Sequence, residues 1–259
     1  LNDEKIEIKD IKIKCNETEY LYNKESLDLD SFINILKLFE SITIEISYPM
    51  KIYKNIEECL FKIKDCIPKT IVYLYISGIK KIRSKNEFIY DTDSGVKNII
   101  NIVNIGSSVS RIEKKAFFGC DSLIEIIIPS SVYSIGDECF YGCKSLKQVS
   151  LSSSIKIFEI LVFGECSSLT QISIPSSVTK IEFGAFDACR SLKHVSIPSS
   201  VTEIDIMAFK ECTSLKEIEI PPNVKKIKKD TFNNCTSLLT VNLSNVEKIK
   251  RHAFYGCAS

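Results

Sequence analysis

Apolar residues recur along most of this chain with a fixed long period, and each cycle has two parts. The first is an alternating stretch, as in "SLKHVSIP" (191–198), where Leu192, Val195 and Ile197 are apolar and their neighbours polar. Alternation with β-branched residues predicts a short strand. Proline ends it, because Pro fixes φ and offers no N–H. "SSV" then begins a turn whose hydroxyls can bond local backbone. The second part is a small residue followed by Phe, two spacers and Cys, as in "AFDAC" (185–189). That segment is too short for a free-standing helix. It predicts a single helical or 3₁₀ turn with Ala, Phe and Cys directed inward.

The period is 23 residues. It is marked by Cys120, Cys143, Cys166, Cys189, Cys212 and Cys235, with Cys257 one residue early because "LSNV" (243–246) is one residue shorter than "IPSSV". Phe117, Phe140, Phe163, Phe186, Phe209, Phe232 and Phe254 stand three residues before the cysteines, and Leu123, Leu146, Leu169, Leu192, Leu215 and Leu238 three after. A unit of this length cannot enclose its own core. Stacked units can, with their strands in a parallel sheet at about 4.8 Å per turn.

The unit "SLKHVSIPSSVTEIDIMAFKEC" (191–212) resembles the BspA-like class of leucine-rich repeats, and the likeness runs from about Ser107 to Cys257. The resemblance implies an α/β leucine-rich repeat solenoid: a right-handed curved superhelix, a parallel β-sheet on the concave face, and short helical or 3₁₀ turns on the convex face. It also implies a protein at the cell surface or secreted, on bacteria or protozoan parasites, associated with adhesion. Ser152 and Ser244 stand in the proline place, Phe158 in the usual Ile place, and Cys139, Val162 and Thr231 in the Ala place, all as core or turn variations.

Residues 103–259 form the regular repeats. Residues 1–102 read as a degenerate N-terminal portion with longer, more helical connections: strand-like stretches at 6–14, 41–49 and 73–82, and helical spacing at Phe32, Ile35, Leu36 and Phe39. A separate small domain ending near 91–95 is the alternative.

The period of two sends the spacers of "LxxIxI" outward, so they form columns across the expected concave face. The candidate protein-binding residues are Lys147, Gln148, Thr170, Gln171, Ser173, Lys193, His194, Ser196, Lys216, Glu217 and Glu219. A second candidate surface is the C-terminal edge: Leu239, Val241, Asn242, Val246 and Phe254, where a missing next strand invites a homodimer.

Composition narrows the chemistry. The chain has 259 residues, is 44% hydrophobic and carries a net charge of +1, which disfavours nucleic acid and anionic membrane as general partners. No apolar run approaches the roughly 20 residues of a membrane span. The chain begins with Leu rather than Met, without a signal peptide, which suggests a trimmed start. Of eleven cysteines, seven fall on the repeat frame, so they read as reduced core residues; Cys15, Cys59 and Cys66 lie off it and are better placed to react or pair. His194 beside Glu217 has the elements of acid–base work, but with no nucleophile near it reads as a surface histidine. Asn16, Asn234 and Asn242 begin glycosylation triplets, with Asn16 the preferred site. No catalytic residue, cofactor or metal site is expected, and the chain reads as a non-enzymatic protein-binding module, with a self-assembling structural or scaffold protein, dimeric through its C-terminal edge, as the alternative.

Overall fold

The structure, a computed structural model, describes residues 100–257 in full and, ahead of them, the backbone of β1 (Ile11–Cys15), β2 (Thr18–Tyr22), β3 (Ser41–Ile46), β4 (Ile71–Ile76) and β5 (Lys81–Ile82). The helical spacing at 32–39, Asn16, Cys59 and Cys66 lie outside the described residues.

Each turn of the repeat contributes two strands. The longer set comprises β6 (Ile100–Ile105), β8 (Glu125–Ile127), β10 (Gln148–Ser150), β12 (Gln171–Ser173), β14 (His194–Ser196), β16 (Glu217–Glu219) and β18 (Thr240–Asn242). Pairing is parallel and in register with the period: Gln148 opposes Glu125, Ile172 opposes Val195, and Ile218 opposes Val241. The sheet also runs upstream, where β3 pairs β4 and β4 pairs β6 in parallel, and β1 joins β3 and β2 antiparallel.

A second, narrower series forms the flank: β7 (Arg111–Ile112), β9 (Ser134–Ile135), β11 (Ile157–Phe158), β13 (Lys180–Ile181), β15 (Glu203–Ile204), β17 (Lys226–Ile227) and β19 (Lys248–Ile249). These also pair in parallel. The corner between the two series is the predicted turn. Val178 N donates to Pro175 O and Val201 N to Pro198 O, both at 3.0 Å. The serines bond further afield than their local setting suggests. Ser177 Oγ donates to Ile155 O at 2.6 Å and Ser200 Oγ to Val178 O at 2.7 Å, each on the preceding turn.

The remaining side of each turn departs from the sequence expectation. No residue among those described is helical, so the helical or 3₁₀ turn does not form there. Two residues per repeat adopt left-handed backbone: five before the cysteine (Lys115, Glu138, Leu161, Gly184, Met207, Asp230, His252) and one before it (Gly119, Gly142, Glu165, Ala188, Glu211, Asn234, Gly256). A left-handed residue interrupts any right-handed helix. The interruption turns alternate N–H groups toward the next turn of the solenoid. Leu161, Phe163 and Glu165 donate to the carbonyls of Phe183, Ala185 and Asp187 at 2.8–2.9 Å, and the pattern recurs along the stack. This side is a third ladder between turns, which satisfies backbone groups a one-turn helix would leave open.

Close stacking explains one glycine and backbone conformation another. A Cβ on Gly136 would lie 2.8 Å from Glu113 C and 2.9 Å from Lys114 Cα, on the backbone of the preceding turn. Gly142 has φ +72 but room around it, with the nearest atom 3.7 Å away. Gly142→Ala therefore brings left-handed strain alone, of roughly 1 kcal/mol. Gly136→Ala pushes two turns apart, at a cost of about 1–3 kcal/mol as for other overpacked sites. Urea unfolding of the two variants is expected to place Gly136→Ala clearly below Gly142→Ala; the reverse order would contradict backbone contact at Gly136.

The core is continuous. Phe117, Phe140, Phe163, Phe186, Phe209, Phe232 and Phe254 stack face to face, with centroids 5.2–5.6 Å apart and planes within 12°. Phe158 meets Phe163 and Phe186 edge-on at 5.7 Å, so the aromatic in an Ile place fills a groove between two rungs of the stack. Beside this column runs the cysteine column, unpaired throughout and buried except at half-buried Cys257. The thiols have a role beyond volume. Cys143, Cys166, Cys189, Cys212 and Cys235 donate Sγ–H to the Phe carbonyl of the previous turn at 3.0–3.2 Å.

Candidate protein-binding face

The outward residues of the main sheet stand in straight columns because successive strands are in parallel register. Gln171 opposes His194 and Ser173 opposes Ser196; Glu217 opposes Thr240 and Glu219 opposes Asn242. Between them Ile172, Val195 and Ile218 point into the core. Lys147, Gln148, Thr170, Gln171, Ser173, Lys193, His194, Ser196, Lys216, Glu217 and Glu219 are all exposed, so the predicted set shares one open face. Lys193 N donates to Thr170 O and Lys147 N to Ile124 O, which fixes the approach to each strand. The face is polar and of mixed charge. Its first turn is more apolar, with Ile127 exposed, and its last bears exposed Leu239. His194 stands exposed in this series between Gln171 and Glu217, with no serine or cysteine nucleophile in its column.

The residues of the C-terminal edge divide differently. Leu239 and Asn242 belong to the open face, 77% exposed in the case of Leu239. Val241, Val246 and Phe254 are only partly buried and pack against the core, Phe254 as the last ring of the aromatic stack at 5.3 Å from Phe232.

The flank carries charge that single-repeat reading missed, because its order appears only when turns are laid side by side. Lys180 bridges Glu182 at 2.8 Å and Glu203 at 3.3 Å, and Lys228 reaches back to Glu203 and to Asp205 at 2.9 Å. The Lys228 ammonium, with Lys180 beside it, holds the Glu203 carboxyl below its ordinary range. Glu159 has the opposite fate: partial burial, then the charges of Asp137 and Glu182, push its carboxyl upward. The sequence signal was present in "KIE" (180–182), "EID" (203–205) and "KIK" (226–228), which share one repeat position and become visible only after alignment of the units.

Among the described residues no group of three or more His, Cys, Asp or Glu is placed to hold a metal ion. No described helix is long and apolar enough to cross a membrane.

Parallel turns of 23 residues, an interior of Leu, Ile, Phe and Cys, and an open strand face define a leucine-rich repeat solenoid. The chain belongs to the BspA type leucine-rich repeat family, which matches in six copies over residues 94–209 and 134–259. A comparison with curated proteins gives no match. Among solved structures, the chain is similar to the leucine-rich repeat protein of T. pallidum, with 24% identity, a TM-score of 0.54, and coverage of 82% of this chain and 78% of that one. It is also similar to a leucine-rich cell surface protein of Faecalibacterium prausnitzii, with 27% identity, a TM-score of 0.53 and 78% coverage of this chain. There it spans 50% of the other protein's length. No catalytic family is indicated by these likenesses.

Proposed function

We propose that this chain is a non-enzymatic protein-binding module that works at the cell surface or outside the cell, in adhesion to neighbouring or host cells. The observation that carries the reading is the open face of the longer strand series: three exposed columns, at Lys147–Thr170–Lys193–Lys216, Gln148–Gln171–His194–Glu217 and Ser173–Ser196–Glu219, on successive strands that repeat with the period. The backbone of paired strands is pre-ordered, so a docking partner need not order it. The columns hold no Trp, Tyr or Arg, the residues that dominate tight interfaces. The binding mode is therefore broad and of low affinity per contact, strengthened where several copies act together. The cell-surface description of the F. prausnitzii protein supports the location.

The test is capture of surface proteins from host-cell and sibling-cell extracts by the intact chain and by the K193E/K216E variant. Both positions are exposed and without a carboxylate partner among the described residues, so the variant is expected to fold. At least a fivefold loss of a captured protein in the variant is expected. Equal capture by both forms would remove this face from any role.

A further inference from the structure

We propose that the flank of the last two described turns binds a sulfated polysaccharide through Lys226, Lys248 and Lys250, with Lys225 and Arg251 beside them. This surface is distinct from the open face of the main sheet, and the inference does not depend on the function proposed there.

The geometry comes from one strand pair. β17 and β19 are parallel, with Lys226 opposite Lys248 and Ile227 opposite Ile249. Lys228 and Lys250 follow two residues later, on the same side of their strands by the period of two. Cations on such a pair are spaced about 4.8 Å across the strands and about 6.6 Å along them. Backbone bonds hold the arrangement: Glu247 N and Lys248 N donate to Lys225 O at 2.9 and 3.2 Å, and Lys250 N to Ile227 O at 2.9 Å.

What marks this flank is the number of like charges that one strand pair brings together. Upstream, several flank and turn cations meet carboxylates on the following turn: Lys115 meets Glu138 at 3.2 Å, Lys180 meets Glu203, and Arg190 meets Glu211 at 2.7 Å. Within the last two turns Lys228 and Lys229 are also neutralised, by Asp205 and Asp230. Lys225, Lys226, Lys248, Lys250 and Arg251 have no carboxylate partner among the described residues, and all but half-buried Lys250 are exposed. Lys248 and Lys226 face Lys250 closely enough to lower its hold on its proton. Like charges held together without counter-charge attract an anion that can bridge them.

The chemistry of the patch selects the class of anion. Four of the five cations are lysines, hydrated point charges on flexible stems that suit repeated, scattered anionic groups better than one planar bidentate partner. Segments 225–229 and 247–251 contain no aromatic residue on which a base could stack, which disfavours single-stranded nucleic acid. They equally lack the aromatic anchors of a folded-protein interface. The chain's net charge of only +1 makes any attraction local to this flank.

Binding of the full chain to immobilised heparin tests the proposal. Neutralising about three anionic groups predicts a fall in affinity of roughly 20-fold between 50 and 200 mM salt, by analogy with single-stranded polyanions. K226E/K248E/K250E is expected to lose at least tenfold in affinity at 50 mM salt. K226Q/K248Q/K250Q, which removes charge without repulsion, is expected to lose at least fivefold while keeping the wild-type thermal midpoint. K193E/K216E, of comparable charge change on the main sheet, is expected to stay within twofold of wild type. Unchanged binding by the glutamine variant overturns the proposal, as does an equal loss in K193E/K216E or equal binding to desulfated heparin. Capture by double-stranded DNA or phosphatidylserine vesicles as strong as by heparin overturns the assignment to sulfated glycan.

Discussion

Between pH 8 and pH 10 the repeat region is expected to lose most of its stability. The cause is the cysteine column. Burial pushes the thiols of Cys139, Cys143, Cys166, Cys189 and Cys212 far up, and Cys235 up to about 12. In the unfolded chain a thiol titrates near about 8.5. As pH rises above that value the unfolded state releases protons that the folded state retains, so unfolding becomes more favourable. The stabilising contribution is complete below about pH 8.5 and is lost progressively toward about pH 12. By pH 10 each buried thiol costs on the order of 2 kcal/mol relative to neutral pH. Six of them amount to something on the order of 10 kcal/mol, comparable to the 5–15 kcal/mol that holds a typical domain together. Urea unfolding from pH 7.5 to pH 10 reads this directly. A C189A/C212A variant is expected to be weaker at pH 7.5, having lost two thiol donors, yet to show a shallower pH dependence by about two protons. Stability that stays flat to pH 10 in the parent chain would contradict the buried, protonated column.

The second large effect is expected at Phe186. Its ring stacks on Phe163 at 5.6 Å and Phe209 at 5.2 Å, and meets the edge of Phe158 at 5.7 Å. Phe186→Ala removes a fully buried ring that touches three others, and the loss is about 3–5 kcal/mol. A terminal ring gives the contrast. Among the described residues Phe254 stacks on Phe232 alone and is only partly buried, so Phe254→Ala is expected to cost less than half as much. Equal losses at both sites would show that the column does not act as a continuous stack.

Much of this architecture is legible in the chain because a solenoid repeats its instructions. Six steps of Phe, Cys, Leu and Ile at fixed offsets predict which residues turn inward, and those residues form the core. The exposed columns follow from the alternation around Ile172, Val195 and Ile218. The turn before each cysteine was harder to read. "AFxxC" suggests helical spacing, yet left-handed residues on either side of "AFx" convert it to a ladder between turns. Gly119, Gly142, Gly184 and Gly256, with Asn234, mark those two columns in the sequence; Leu161 and Met207 obscure them because such residues seldom adopt that backbone. The thiol bonds were hidden for another reason. Donor and acceptor are 26 residues apart, and only stacking brings Cys189 Sγ to Phe163 O. The bare lysines of the flank were hidden likewise, since "KKIKK" and "EKIKR" become one patch only when β17 lies beside β19.

The account depends on parallel stacking of the repeats, and inter-strand nuclear Overhauser contacts test that most directly. In an isotopically labelled sample, cross-peaks are expected that pair Ile172 with Val195 and Ile218 with Val241 in the parallel pattern, together with aromatic contacts from Phe186 to both Phe163 and Phe209. Close Hα–Hα contacts between successive strands, the signature of antiparallel neighbours, would contradict it.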